Sequence, residues 1–142
     1  MKIVSIKITN YRMFKNIQIR DIPPFCVIIG ANGTGKSTLF DIFGFLRDAL
    51  KNNIRQALQI RGGYKEVITR GQEKEDIEIE LQFRMKISDT ERLVTYILRI
   101  GQEENRPMIK REILRYKRGE HGAPFHFLDF QCGQGYAIMT GL

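Results

Sequence analysis

No apolar run in this chain of 142 residues approaches the ~20 residues of a membrane-spanning helix. The first residues also lack the apolar stretch of a secretory signal, so a cytoplasmic protein without a membrane partner is expected. Cysteine is scarce. Cys26 and Cys132 show no paired spacing and join no His/Cys cluster, which reads as two reduced thiols rather than a disulfide framework. His121 and His126 have no partner at ligand spacing, so neither is a metal-binding or catalytic candidate. There is no internal repeat and no low-complexity tract. What remains is ordinary for a globular domain with a core: 42% hydrophobic and 27% charged residues.

Acidic residues are few in one region. Residues 1–60 carry nine Lys/Arg against three acids, whereas the remainder is nearly balanced within a net charge of +7. The excess surrounds the most informative segment, GANGTGKST at Gly30–Thr38. It fits the phosphate-binding loop pattern G-x4-G-K-[ST] through Gly30, Gly35, Lys36 and Ser37. Glycines let the backbone curl and turn its N–H groups toward phosphate oxygens. Lys36 can reach the β- and γ-phosphates, and the Ser37 hydroxyl suits Mg²⁺. The context is strand, glycine loop, helix: FCVIIG precedes the loop and STLFDIFGFLRDAL follows it.

The rest of the chain divides by period. KIVSIKIT alternates as a half-buried strand. NIQIRDI resumes strand character after turn-prone Asn10 and Asn16, and Pro23–Pro24 ends it. FCVIIG, apolar throughout, predicts a third and central strand covered on both faces. A helix is expected from Gly35 or Lys36 to about Lys51. Leu39, Phe43, Leu46 and Leu50 form its apolar line, and Asp41, Gly44, Asp48 and Lys51 its polar stripe. IRQALQI suggests a short second helix before Gly62–Gly63. From about residue 75 the period becomes two. EDIEIELQFRM puts Ile77, Ile79, Leu81 and Phe83 on one face, and LVTYILRI aligns Val94, Tyr96, Leu98 and Ile100. MIKREILRYKR, FHFLDF and YAIMTG are further strand candidates, read together as an antiparallel meander. The fold class is α/β. Residues 1–60 hold a hairpin, the loop and its helix, and residues 61–142 a mainly antiparallel β-subdomain of one domain. The basic stretch Arg106–Arg118 reads as a charged edge strand, with DNA backbone contact as the alternative.

IKITNYRMFKNIQI followed by VIIGANGTGKSTLFDIFGFL resembles the N-terminal half of the ATPase head of SMC/RecF-like, ABC-type ATPases. The nearest likeness is to the "predicted ATPase" AAA/OLD-like group. The marks are Ile8–Phe14, Asn32 inside the loop, and VITRG at 67–71. The resemblance implies a P-loop NTPase head with an antiparallel β-subdomain, and ATP and Mg²⁺ as ligands. It places Gly30, Ala31, Asn32, Gly33, Thr34 and Gly35 around the β-phosphate, Lys36 between β and γ, and Thr38 at the α-phosphate. Ser37 falls on Mg²⁺, and Arg12 near the phosphates. It also implies a partner, either a C-terminal half of the head or a second copy, and DNA repair, maintenance or defence as the setting.

Hydrolysis requires an acidic Mg²⁺ ligand at the end of an apolar strand and a neighbouring Glu. Neither is found. FHFLDF, with Asp129, is the only near match, and it reads better as a strand of the β-subdomain. No LSGGQ-like signature appears, and Gln131 and Gln134 are weak candidates for a Mg²⁺-contacting glutamine. The expectation is half of a head, uncovered at Phe25–Ile29 and along the Leu39–Leu50 helix, with catalytic residues unknown. A non-hydrolysing nucleotide-binding interaction module is the alternative. A transporter-type ABC ATPase is a third, disfavoured by the N-Y-R-x-F hairpin.

Overall fold

The computed structural model describes residues 1–118, 121–132 and 134–137. Its strands are β1 (Lys2–Tyr11), β2 (Phe14–Ile19), β3 (Ile77–Ile87), β4 (Thr90–Glu103), β5 (Arg106–Tyr116), β6 (Phe125–Gln131) and β7 (Gln134–Ala137). They form one antiparallel sheet in the order β2-β1-β3-β4-β5-β6-β7. The helices α1 (Lys36–Lys51), α2 (Ile54–Ile60) and α3 (Tyr64–Val67) lie between β2 and β3 in sequence.

Period-two patterning sets the register. Ile77, Ile79, Leu81 and Phe83 stand opposite Ile100, Leu98, Tyr96 and Val94, so both apolar faces coincide. The turns are tighter than the sequence suggests. Ser88–Asp89 and Glu104–Asn105 all have positive φ, the geometry of two-residue hairpins, and so β4 extends through much of the expected GQEENRP loop. β5 is flanked by β4 and β6, which corrects its reading as an edge strand; the sheet ends at β2 and β7. FHFLDF forms strand β6, as expected, and it lies inside the sheet. Of the YAIMTG candidate only Tyr136 and Ala137 fall in β7, and the rest lies outside the described residues.

The core lies between one sheet face and the helices. Ile6, Ile8 and Tyr11 of β1 meet Ile77 and Ile79 of β3, Leu98 and Ile100 of β4, and Leu39, Ile42, Phe45 and Leu46 of α1. Asn53 caps α2 by accepting from the Gln56 amide at 2.9 Å, so the Asn52–Asn53 break is also a start signal. Gly62 and Gly63, both left-handed, close its other end through bonds to the Gln59 and Leu58 carbonyls.

One expectation fails in an informative way. Phe25–Gly30 is not a strand, and no described strand pairs with it. Phe25, Val27 and Ile29 are 82%, 64% and 89% exposed. A fully apolar strand forms only when neighbours satisfy its backbone and cover its faces, and no described element does either here. The polar stripe of α1 is only partly open to water, with Lys51 exposed and Asp41, Gly44 and Asp48 half-covered. Arg61, at the end of α2, lies across it, donating Nε to Asp41 at 2.9 Å and Nη1 to Asp48 at 3.0 Å. Gly44 leaves the gap this requires, since a Cβ there would sit 3.2 Å from Arg61 Nη2. The Phe45 ring lies under the guanidinium at 5.5 Å. The true inner face of α1 is Leu39, Ile42, Phe45 and Leu46, with Phe43 partly buried, while Phe40 and Leu50 point out.

The bond from Arg61 holds the Asp48 carboxyl below its ordinary range. Burial pulls on the Arg61 guanidinium in the neutral direction, but its bonds to Asp48 and Asp41 outweigh that and keep it charged. Arg61→Ala is expected to cost about 2 kcal/mol, less than a wholly buried ion pair because both carboxylates retain contact with water. Urea denaturation measures it, and a loss below about 0.5 kcal/mol, the range of an ordinary surface change, would show that Arg61 does not tie α2 to α1.

Candidate phosphate-binding site

The segment Gly30–Gly35 reaches α1 without regular structure. Gly33 and Gly35 have φ of +85° and +97°, a region that favours glycine. Thr34 ties the loop to itself, its amide and its hydroxyl both donating to the Ala31 carbonyl at 3.3 and 2.7 Å. Lys36 Nζ donates back to the Gly30 carbonyl. A Cβ at Gly30 would come to 2.7 Å from Thr34 Oγ1, so a side chain there would displace the Thr34 hydroxyl.

Gly35 is the N-cap of α1, so no side chain caps this helix, and its first turn holds no acid. The open amides and the helix dipole therefore favour an anion. Met13, Asn32, Gly33, Gly35, Lys36, Ser37 and Thr38 line a cavity of about 280 Å³ at this end. None of them is acidic. Ala31 and Thr34 are exposed beside it.

The hairpin tip holds the loop from behind. Phe14 and Met13 pack on buried Gly35, where a Cβ would approach the Phe14 ring to 2.8 Å and Met13 Sδ to 3.2 Å. The tip is fixed by residues 67–71. Arg12 donates its amide to the Val67 carbonyl at 2.6 Å, Thr69 its amide to Asn10 at 3.3 Å, and Thr69 Oγ1 bonds the Phe14 carbonyl at 3.2 Å. Asn10 and Arg12 take left-handed conformations to make this turn.

Arg12 does not line the loop cavity. It lines a neighbouring cavity of about 400 Å³ with Met13, Lys65, Glu66, Ile68, Thr69 and Arg70, and Met13 is common to both. Its Nη2 lies 3.3 Å from Asp41 Oδ2. The same oxygen accepts the Tyr11 hydroxyl at 2.7 Å. Burial, with that bond second, raises the Tyr11 pKa, so the phenol stays protonated as donor. Sequence reasoning did not single out Met13, Phe14, Lys65 or Arg70 as site residues. The signal was their place beside Arg12 and within or near 67–71, both singled out for other reasons.

Gln131 and Gln134 face each other across the β6–β7 turn, and at least three strands separate them from β1. At about 4.8 Å per strand they are too distant to join the loop. Asp129 on β6 accepts Arg111 at 3.1 Å and lies 3.2 Å from His126 Nδ1, and the Arg111 bond is the main cause of its lowered pKa. It is an ion-paired strand residue. Among the described residues no group of three His, Cys, Asp or Glu side chains is placed to hold a metal.

A glycine loop with an uncapped helix behind it defines a phosphate-loop nucleotide-binding protein. The family described as AAA ATPase domain matches residues 1–126, and the chain belongs to that family. No curated protein matches the chain. Membership implies the P-loop NTPase class, a nucleotide ligand and ATP binding or hydrolysis as the activity.

Gly35→Ala should couple two losses, since it strains a left-handed position and pushes the hairpin tip off the loop. We expect a destabilisation of about 1–3 kcal/mol together with at least tenfold weaker Mg-ATP binding. Thermal melts and calorimetric titration measure these, and wild-type values in both would mean the tip does not hold the loop.

Proposed function

We propose that this chain binds Mg-ATP as the N-terminal half of an SMC/RecF-like ATPase head that hydrolyses ATP when completed by a C-terminal half. The observation that carries the reading is the uncapped first turn of α1 behind two left-handed glycines, with Lys36 at hand. Gly30, Ala31, Asn32, Gly33, Thr34 and Gly35 wrap the β-phosphate. Lys36 leaves the Gly30 carbonyl to span the β- and γ-phosphates, and Thr38 serves the α-phosphate. Ser37 and Thr38 bring hydroxyls to a cavity without carboxylates, and the Ser37 hydroxyl would suit a Mg²⁺ that takes its other ligands from phosphate and water. When bound, that ion would supply charge neutralisation to the phosphates.

Exposed Phe25, Val27 and Ile29 support completion by added strands, from a C-terminal half or a second copy. DNA repair, maintenance or defence is the proposed setting, supported by the basic charge of residues 1–60. The absence of an acid from the loop cavity favours a second reading, a nucleotide-binding module that regulates assembly without hydrolysis.

Calorimetry with Mg-ATP tests the first step. Lys36→Ala should abolish binding and leave stability within about 0.5 kcal/mol of wild type; equal affinity in the variant would remove the assignment. Phosphate release by the chain alone should remain at background, rising only when a C-terminal half is supplied. Turnover by residues 1–142 alone, lost in Lys36→Ala, would contradict the half-head reading, and no turnover in any complex would favour the regulatory module.

Association is a separate test. Light scattering should find a mass above the 16.5 kDa of one chain, returning to the monomer in Phe25→Glu/Val27→Glu. A wild-type monomer at high concentration would mean that the exposed segment recruits no second copy.

A further inference from the structure

Asp41 stands one helical turn beyond Ser37 and gathers three donors. Tyr11 reaches it at 2.7 Å, Arg61 Nε at 2.9 Å and Arg12 Nη2 at 3.3 Å. Two guanidinium groups thus converge on a single carboxylate, and they are unequally held. The Arg61 side chain is 8% exposed and shared with Asp48 and the Ala57 carbonyl. Arg12 makes the longest of the three contacts and is 38% exposed. Its Nε is buried and has no partner. A buried guanidinium N–H without an acceptor is costly, so Asp41 alone does not satisfy the Arg12 side chain. With Arg61 shared between Asp41 and Asp48, Arg12 keeps donors to spare at the edge of a cavity that shares the Met13 wall with the loop cavity.

We propose that Asp41 is a positioning residue. Its carboxylate holds the Arg12 guanidinium beside the phosphate loop, so that the terminal phosphate of a bound nucleotide meets donors already in place. This rests on the nucleotide reading above and adds to it a means of discriminating triphosphate from diphosphate. A phosphate that takes Arg12 leaves Asp41 bonded to Tyr11 and Arg61, so the carboxylate is never stranded. The side chain is pre-organised at little further loss of rotamer freedom, which is the benefit of holding it before the ligand arrives.

The experiment has two arms. In the nucleotide-free chain, the Arg12 Nε–H resonance in a ¹⁵N NMR spectrum should be slow to exchange in wild type and should broaden into fast exchange in Asp41→Asn. With nucleotide, wild type should bind Mg-ATP more tightly than Mg-ADP. Asp41→Asn and Arg12→Ala should each lower that ratio about tenfold, and the double variant no further. Asp41→Glu keeps a charged partner for Arg61, moves the carboxylate by one methylene, and should give an intermediate ratio even if Asp41→Asn fails to fold. A purely structural Asp41 would weaken ATP and ADP alike and add to Arg12→Ala; that result, or an unchanged Arg12 resonance, overturns the proposal. An altered resonance without binding of either nucleotide to wild type would instead remove the nucleotide reading, and with it any ligand for Arg12.

Discussion

The ion-paired contact of Arg61 with Asp41 and Asp48 is the constraint on which the helical layer depends. α1 begins in an uncapped loop, so no side-chain hydrogen bond supports its N-terminal amides. Its apolar face anchors it to the sheet, but its other side would carry two carboxylates into the packing of α2. Arg61 resolves this by lying across both, with Gly44 providing room and the Phe45 ring a floor. Desolvation of a guanidinium is expensive, and it is tolerated here because two carboxylates and the Ala57 carbonyl take up its donors.

The same carboxylate links this layer to the hairpin. Asp41 receives Tyr11 and Arg12, whose own backbone is held by Val67, while Met13 and Phe14 rest on Gly35. The phosphate loop is therefore shaped less by its own bonds than by what stands behind it. Its internal contacts are few: two from Thr34 and one from Lys36. A loop with so little self-support keeps a binding geometry only if neighbouring elements hold it. Tyr64 strengthens that frame from the other side, donating its hydroxyl to the Glu75 carbonyl at 2.8 Å, and burial raises its pKa to about 12 so that it remains a donor.

The segment Phe25–Ile29 contrasts with this frame. Its residues are as β-prone as those of β1, yet they form no strand. β1 pairs on both sides, with β2 and with β3, whereas Phe25–Ile29 pairs with no described strand. Strand propensity is a statement about fitting between neighbours, and without them the backbone gains nothing from extending.

By itself the sequence determined whatever depends on spacing along the chain. The loop pattern at Gly30–Ser37, the helix after it, the short helix at residues 54–60 and the alternating faces of β3 and β4 were all legible. Each follows from local backbone geometry and from the matching of apolar periods. Tertiary structure decided what depends on residues distant in sequence. It covered part of the polar stripe of α1 because Arg61 arrives from α2, made β5 interior because β6 folds beside it, and left Phe25–Ile29 without a strand partner among the described residues. It also drew Arg12 to Asp41 and seated Phe14 on Gly35. Charge pairing and strand pairing join groups through space, and a single sequence carries no record of which groups meet.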